Sequence, residues 1–288
     1  MNVVNKHYHL FAITFPRGPR KDYNLECSCS NSCEKVIELL LQDNEAISFE
    51  EKLLTFDINN LVLNIPENKK DMYKKTSNLC YLLINNRNLF LPIRIVLLGR
   101  ILEGIQISID NNLPINYDSI KIDFQINDYN IKKDINYSYT IQKKLLLHFS
   151  KKSPSIKPYT EQVLKYLESS DEIEQYLKAK QHFYEVFKDP EIMFEKILVN
   201  HMFFNQFPFS QKYSNLMDEF KSLCGVFMFI KFISICYMAD KTNLEDFVDV
   251  ISASFRLISH SNFDQNVSLL LKSENVETFD QLSTLIQA

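Results

Sequence analysis

Four glycines in 288 residues set the first limit on what this chain can build. Gly18, Gly99, Gly104 and Gly225 are scattered, and no G-x-G-x-x-G or Walker pattern exists to cradle a phosphate. That argues against a self-contained Rossmann-type nucleotide site. Glycine destabilises helix interiors, so a chain this poor in it suits a mostly helical fold. Tryptophan is absent, but 22 phenylalanines and 14 tyrosines can fill a sizeable core. Apolar residues at 45% and charged residues at 24% are an ordinary globular balance, which excludes disorder and a minimal disulfide scaffold. The net charge of −4 gives no global basic field, so neither nucleic acid nor anionic lipid is an expected partner.

The pattern along the chain predicts a mainly α, multi-helical body behind an irregular N-terminal segment. Residues 1–28 look irregular, with Pro16-Arg17-Gly18-Pro19 as a turn signal. A helix is expected from about Ser30, where Asn31 and Glu34 have capping-box spacing. Cys33, Val36, Ile37, Leu40 and Leu41 then recur on one face. Residues 47–65 are ambiguous, and Pro66 with the polar stretch Glu67 to Lys75 reads as a loop. Helices are expected at about 76–87 and 90–104, with Pro92 in the first turn of the second. Over 105–142 helix and a minor β content stand nearly even, because Ile120, Ile122, Phe124 and Ile126 alternate with polar residues.

From about residue 158 helices dominate. Lys151-Lys152-Ser153-Pro154 reads as a joint. It divides the chain into an N-terminal helical part, 1–150, and a C-terminal helical part, 151–288. Asp189-Pro190 is an N-cap followed by proline at the first helical position, and the helix it opens must end before Pro208. Thr242 and Glu245 form a second capping box, opening a helix with core face Phe247, Val250, Ile251, Ser254 and Ile258. Leu223 to Ala239 is the most apolar run, interrupted by Lys231; at 17 residues it is short of the ~20 a span needs, so a buried core helix and no membrane span are expected.

Lys6, His7 and His9 sit in an N-terminus with no apolar run, so a signal peptide is not expected and a cytoplasmic location is. Free or metal-bound thiols are expected there. Cys27, Cys29 and Cys33 are the densest cluster of soft ligands, but the spacing is neither that of a zinc C-x2-C pair nor that of an iron–sulfur run. Core packing accounts for Cys33, and a ligand role stays open for Cys29. His201 and Asn205 are four apart and share a face, either as a satisfied buried polar pair or as a substrate contact. Arg256 and His260 are also four apart, opposite the core face of their helix. Arg87, Arg94 and Arg100 flank an apolar helix pair and suit carboxylate or phosphate recognition, or simply the surface.

Five segments in order resemble the bacterial flagellin lysine-N-methylase family. Thr14-Phe15-Pro16-Arg17 is similar to its Thr-Tyr-Pro-Arg. Leu25 to Leu40 follows a family pattern that puts Cys29 on the family cysteine. Leu82-Leu83-Ile84-Asn85-Asn86-Arg87, continuing through Arg94, Leu97, Leu98 and Gly99, is similar to Leu-Leu-Gln-Asn-Arg followed by Arg-Leu-x-x-Leu-Gly. Asn200-His201 through Asn205, Phe207, Pro208 and Phe209 is similar to Asn-Tyr-x-x-x-Asn-x-Phe-Pro-Phe. Phe255-Arg256 through His260 and Asn262 is similar to Ser-Arg-x-x-x-His-Asn.

The resemblance implies a protein lysine N-methyltransferase with S-adenosylmethionine as donor and flagellin as partner. The matching positions are Arg17, as a cofactor-binding candidate, and Arg87, Arg94, Asn200, His201, Asn205, Arg256 and His260 as catalytic candidates. It also implies an upstream cysteine-rich region holding iron or an iron–sulfur cluster, a centre largely missing from this chain, where Cys27, Cys29 and Cys33 are the remaining metal-ligand candidates. The family cysteine before Thr-Tyr-Pro-Arg is Ala12 here, and this chain starts where that region would end. Three readings of that departure stand open: a truncated product, a mis-set start, or a remnant without activity. The alternative to a methyltransferase is a non-catalytic flagellin-binding helical module.

Overall fold

The computed structural model describes residues 30–47, 67–117, 120, 134–151, 153–210, 213 and 215–287. They form α1 (Ser30–Leu40), α2 (Glu67–Ile84), α3 (Leu91–Asp110), α4 (Ile135–Ser150), α5 (Lys157–Leu167), α6 (Glu172–Val186), α7 (Pro190–Phe204), α8 (Leu216–Tyr237), α9 (Leu244–His260), α10 (Phe263–Ser273) and α11 (Phe279–Gln287). No strand occurs among the described residues. Residues 105–110 complete α3, and 135–142 open α4. Of the alternating run, Ile120 falls in a turn, while Ile122, Phe124 and Ile126 lie outside the described residues.

Local chemistry explains where the helices start. Asp134, Asp171, Asn215 and Asn243 each accept a hydrogen bond from a backbone N–H in the first turn they cap. The last of these corrects the expected capping box. Asn243, not Thr242, is the N-cap, and its Oδ1 accepts from the Asp246 N–H at 2.7 Å. The core face expected of α9 is buried at all five positions. Likewise α1 begins at Ser30, so Asn31 lies inside the first turn rather than before it. Val36, Ile37 and Leu40 are buried as the periodicity demands.

The stretch Glu67 to Lys75, expected as a loop, is the start of α2. Its polar composition hid the helix. Lys75 pairs with Asp71 one turn back at 2.8 Å, and Tyr73 stacks on Phe209 at 3.8 Å.

The centre of the fold is α8. Helices α3, α4, α5, α6, α7, α9, α10 and α11 all pack on it. They come from both sides of residue 150. It is 22 residues long and apolar enough to cross a membrane, yet 89% of its most apolar window is buried inside the protein. Gly225 makes one of these contacts close: a Cβ there would stand 2.5 Å from Val267 Cγ1 of α10. Lys231, the one charge in the apolar run, is also buried, its ammonium 5.5 Å from the Phe227 ring centroid.

Candidate functional site

Helix α7 carries most of the buried polar chemistry, and carries it at two levels. Toward its start, Glu195 is fully buried and takes two arginines. Arg87 donates through Nη2 to Oε1 at 2.7 Å and through Nε to both carboxylate oxygens, at 3.0 and 3.1 Å. Arg94, 2% exposed, donates through Nη1 to Oε2 at 2.6 Å and to the Ile84 carbonyl. Arg87 also reaches the Asn44 carbonyl. Lys196, 1% exposed, donates to the Leu40 carbonyl at 2.8 Å, to the Asp43 carbonyl, and to Asp43 Oδ1 at 3.0 Å. Asp189 makes no capping bond to α7. Its carboxylate instead accepts from Asn44 Nδ2 at 2.8 Å. Adjacent opposite charges on α7 thus fasten the tail of α1 and the α2–α3 turn.

The second level is the C-terminal end. Phe194 of α7 lies 6.0 Å from Phe247 of α9, and His201 lies 5.6 Å from Phe255. Both pairings advance together, so α7 and α9 run in the same direction. Their C-terminal ends, with His201 and Asn205 on one and Arg256 and His260 on the other, therefore share one end of the bundle. Asn205 Nδ2 donates to the His201 carbonyl at 3.0 Å and lies 3.2 Å from His201 Nδ1. His260 is exposed.

Polar atoms without partners mark this end. Asn200 is fully buried, and neither its Nδ2 nor its Oδ1 has a hydrogen-bond partner. On α9 the Ser252 Oγ, Arg256 Nε and Ser259 Oγ are likewise buried and unpartnered. Each such atom costs about 1–3 kcal/mol in a folded chain, so these four residues on two neighbouring helices call for an explanation. Tyr159 of α5 belongs to the same surroundings. Burial pushes its phenol up, with Asp249 adding to the effect and Arg256 opposing it. Burial also raises the Asp249 carboxyl, followed by the carboxylates of Asp246 and Glu245, while Arg256 again opposes.

The sequence-derived candidates therefore separate. Arg87 and Arg94 converge on Glu195 at the first level, and Arg100 bridges Glu103 and Asp280 over the Phe279 ring at the surface. Asn200, His201, Asn205, Arg256 and His260 gather at the second. Arg17, Cys27 and Cys29 lie outside the described residues, as does the side chain of Cys33. Among the described residues no group of three or more His, Cys, Asp or Glu is placed to hold a metal ion. Sequence reasoning missed Glu195 and Lys196. Their signal was two charges inside the otherwise apolar run Met193 to Val199. The described cavities lie elsewhere. One of about 480 Å³ is lined by Asp134, Tyr137, Glu274 and Asp280. Another of about 140 Å³ is lined by Glu103, Lys221, Glu277 and Phe279.

The family model of the FliB lysine N-methylase C-terminal domain matches residues 77–285. The chain belongs to that family. No curated protein and no solved structure matches it.

Proposed function

We propose that this chain transfers a methyl group from S-adenosylmethionine to the ε-amine of lysines on flagellin. What supports the reading is the family match over residues 77–285. A lysine amine must be neutral to attack, so the site has to strip its proton and its water. His260, exposed at the end of α9, is the imidazole open to an incoming chain. His201, packed on Phe255 and engaged by Asn205, holds its position instead. Arg87 and Arg94 act in this reading through Glu195, as positioning residues rather than substrate contacts. S-adenosylmethionine supplies the methyl group when bound. A cytoplasmic location goes with the reading.

The test is transfer of labelled methyl from S-adenosylmethionine to the cognate flagellin, with the label located by mass spectrometry. Label on flagellin lysines is the expected result, with a loss of tenfold or more in His260→Ala. A folded chain that sediments with flagellin but transfers nothing overturns catalysis and leaves a flagellin-binding module.

A further inference from the structure

The unpartnered polar groups of α7 and α9 face the same way. His201 and Phe255 point at each other across two helices running in the same direction. A helix turns about 100° per residue. Asn200, one residue before the contact on α7, and Arg256, one residue after it on α9, are therefore swung to the same side. Ser252 and Ser259, three before and four after Phe255, fall on that side too. Lys196 shares that side of α7, and its ammonium binds the end of α1. Helix α1 packs on both α7 and α9. The result is a seam between three helices.

Its groups are a fully buried carboxamide with both ends open, two hydroxyls and a guanidinium. A carboxamide offers one donor face and one acceptor. A guanidinium is shaped for a carboxylate. Asp249, farther round α9 on the same side, adds an exposed carboxylate. Such a set matches a ligand that carries an ammonium and a carboxylate on neighbouring atoms. Asn200 Oδ1 would take the ammonium, and Asn200 Nδ2 and Arg256 the carboxylate.

We infer that this seam binds an α-amino acid group and, resting on the methylase reading, that it is the subsite for the amino-acid end of S-adenosylmethionine. Asn200 and Arg256 carry the recognition, with Ser252 and Ser259 beside them.

Calorimetric titration of the full chain with two non-reactive probes tests this. S-adenosylhomocysteine has the amino-acid end, and methylthioadenosine lacks it. Arg256→Met and Asn200→Leu are each expected to weaken S-adenosylhomocysteine at least tenfold and to leave methylthioadenosine within twofold. Arg256→Lys keeps the charge but not the fork, and falls between. Asn200→Leu also removes an amide with no partner, so its ligand-free melting temperature should hold or rise. If that variant does not fold, the two Arg256 variants decide alone. Equal weakening of both probes, no weakening of either, or no binding of S-adenosylhomocysteine by the unaltered chain overturns the subsite. Binding as expected without methyl transfer to flagellin overturns the methylase reading and leaves the subsite standing.

Discussion

Arg94 and Glu195 meet at 2.6 Å inside the protein, Nη1 against Oε2, although 101 residues separate them in the chain. Both are nearly sealed from water, at 2% and 0% exposure. Removing one charge leaves the other buried and uncompensated, which costs about 3–5 kcal/mol. Glu195→Gln should lose about that much in urea unfolding. An unchanged midpoint would show the cluster to be ornamental.

Lys196 closes α1 by holding the Leu40 carbonyl at 2.8 Å. Lys196→Met is expected to lose about 1.5–3 kcal/mol, the range for hydrogen bonds that involve a charged group. The damage should be local. Amide exchange should quicken across residues 34–47 more than in α8, and uniform quickening would contradict the assignment.

Two glycines should respond oppositely to alanine. A Cβ at Gly104, inside α3, meets nothing within 4 Å. Gly104→Ala should gain about 0.5–1 kcal/mol from helix propensity alone. At Gly225 the new methyl would press on Val267, and Gly225→Ala should lose about 1–3 kcal/mol by overpacking. Thermal melts of the two variants check both signs.

Glu172 supplies a pH dependence. The hydrogen bond from Lys143 at 2.5 Å, with a second from the Tyr139 hydroxyl at 3.1 Å, holds its carboxyl below the usual range. A lowered folded value adds stability that is present above the unfolded value, near about 4.3. It is lost as pH falls through the folded value. Its side chain is 38% exposed, so solvent screening keeps the effect under about 1 kcal/mol. Glu172→Gln should be less stable than the natural chain at pH ~6, and the gap should shrink as pH falls below the unfolded value and close beneath the folded one. Parallel stability curves would remove Glu172 from the account.

Burial pushes up the thiols of Cys80, Cys224 and Cys236. The thiol, not the reactive thiolate, is then the standing form. Peptide mapping after iodoacetamide should find all three unlabelled in the native protein and labelled once it is unfolded. Native labelling of any of them would show an opening the packing does not provide.

Much of this fold was legible because burial imposes a period. Val36, Ile37 and Leu40 marked α1, and Phe247 to Ile258 marked α9, because a helix against a core must repeat its apolar residues. The start of α2 was illegible because Glu67 to Lys75 has little to bury. The cap of α9 was misplaced by one residue because Thr242 and Asn243 are both good caps in a sequence, and backbone geometry alone chooses between them. The site was half legible. His201 with Asn205 and Arg256 with His260 showed helical spacing. That the two pairs share an end of the bundle depends on α7 and α9 running the same way, which no local pattern encodes. Glu195 was invisible as a hub because its arginines lie over a hundred residues upstream.

The central place of α8 has a consequence for how the protein is made. Helices α3 to α7 leave the ribosome before the helix they rest on exists. At the usual pace of synthesis their apolar faces stay bare for on the order of ten seconds. Cells making this chain must shield those faces over that interval, and a stall before Leu216 would release a product with nothing to fold around.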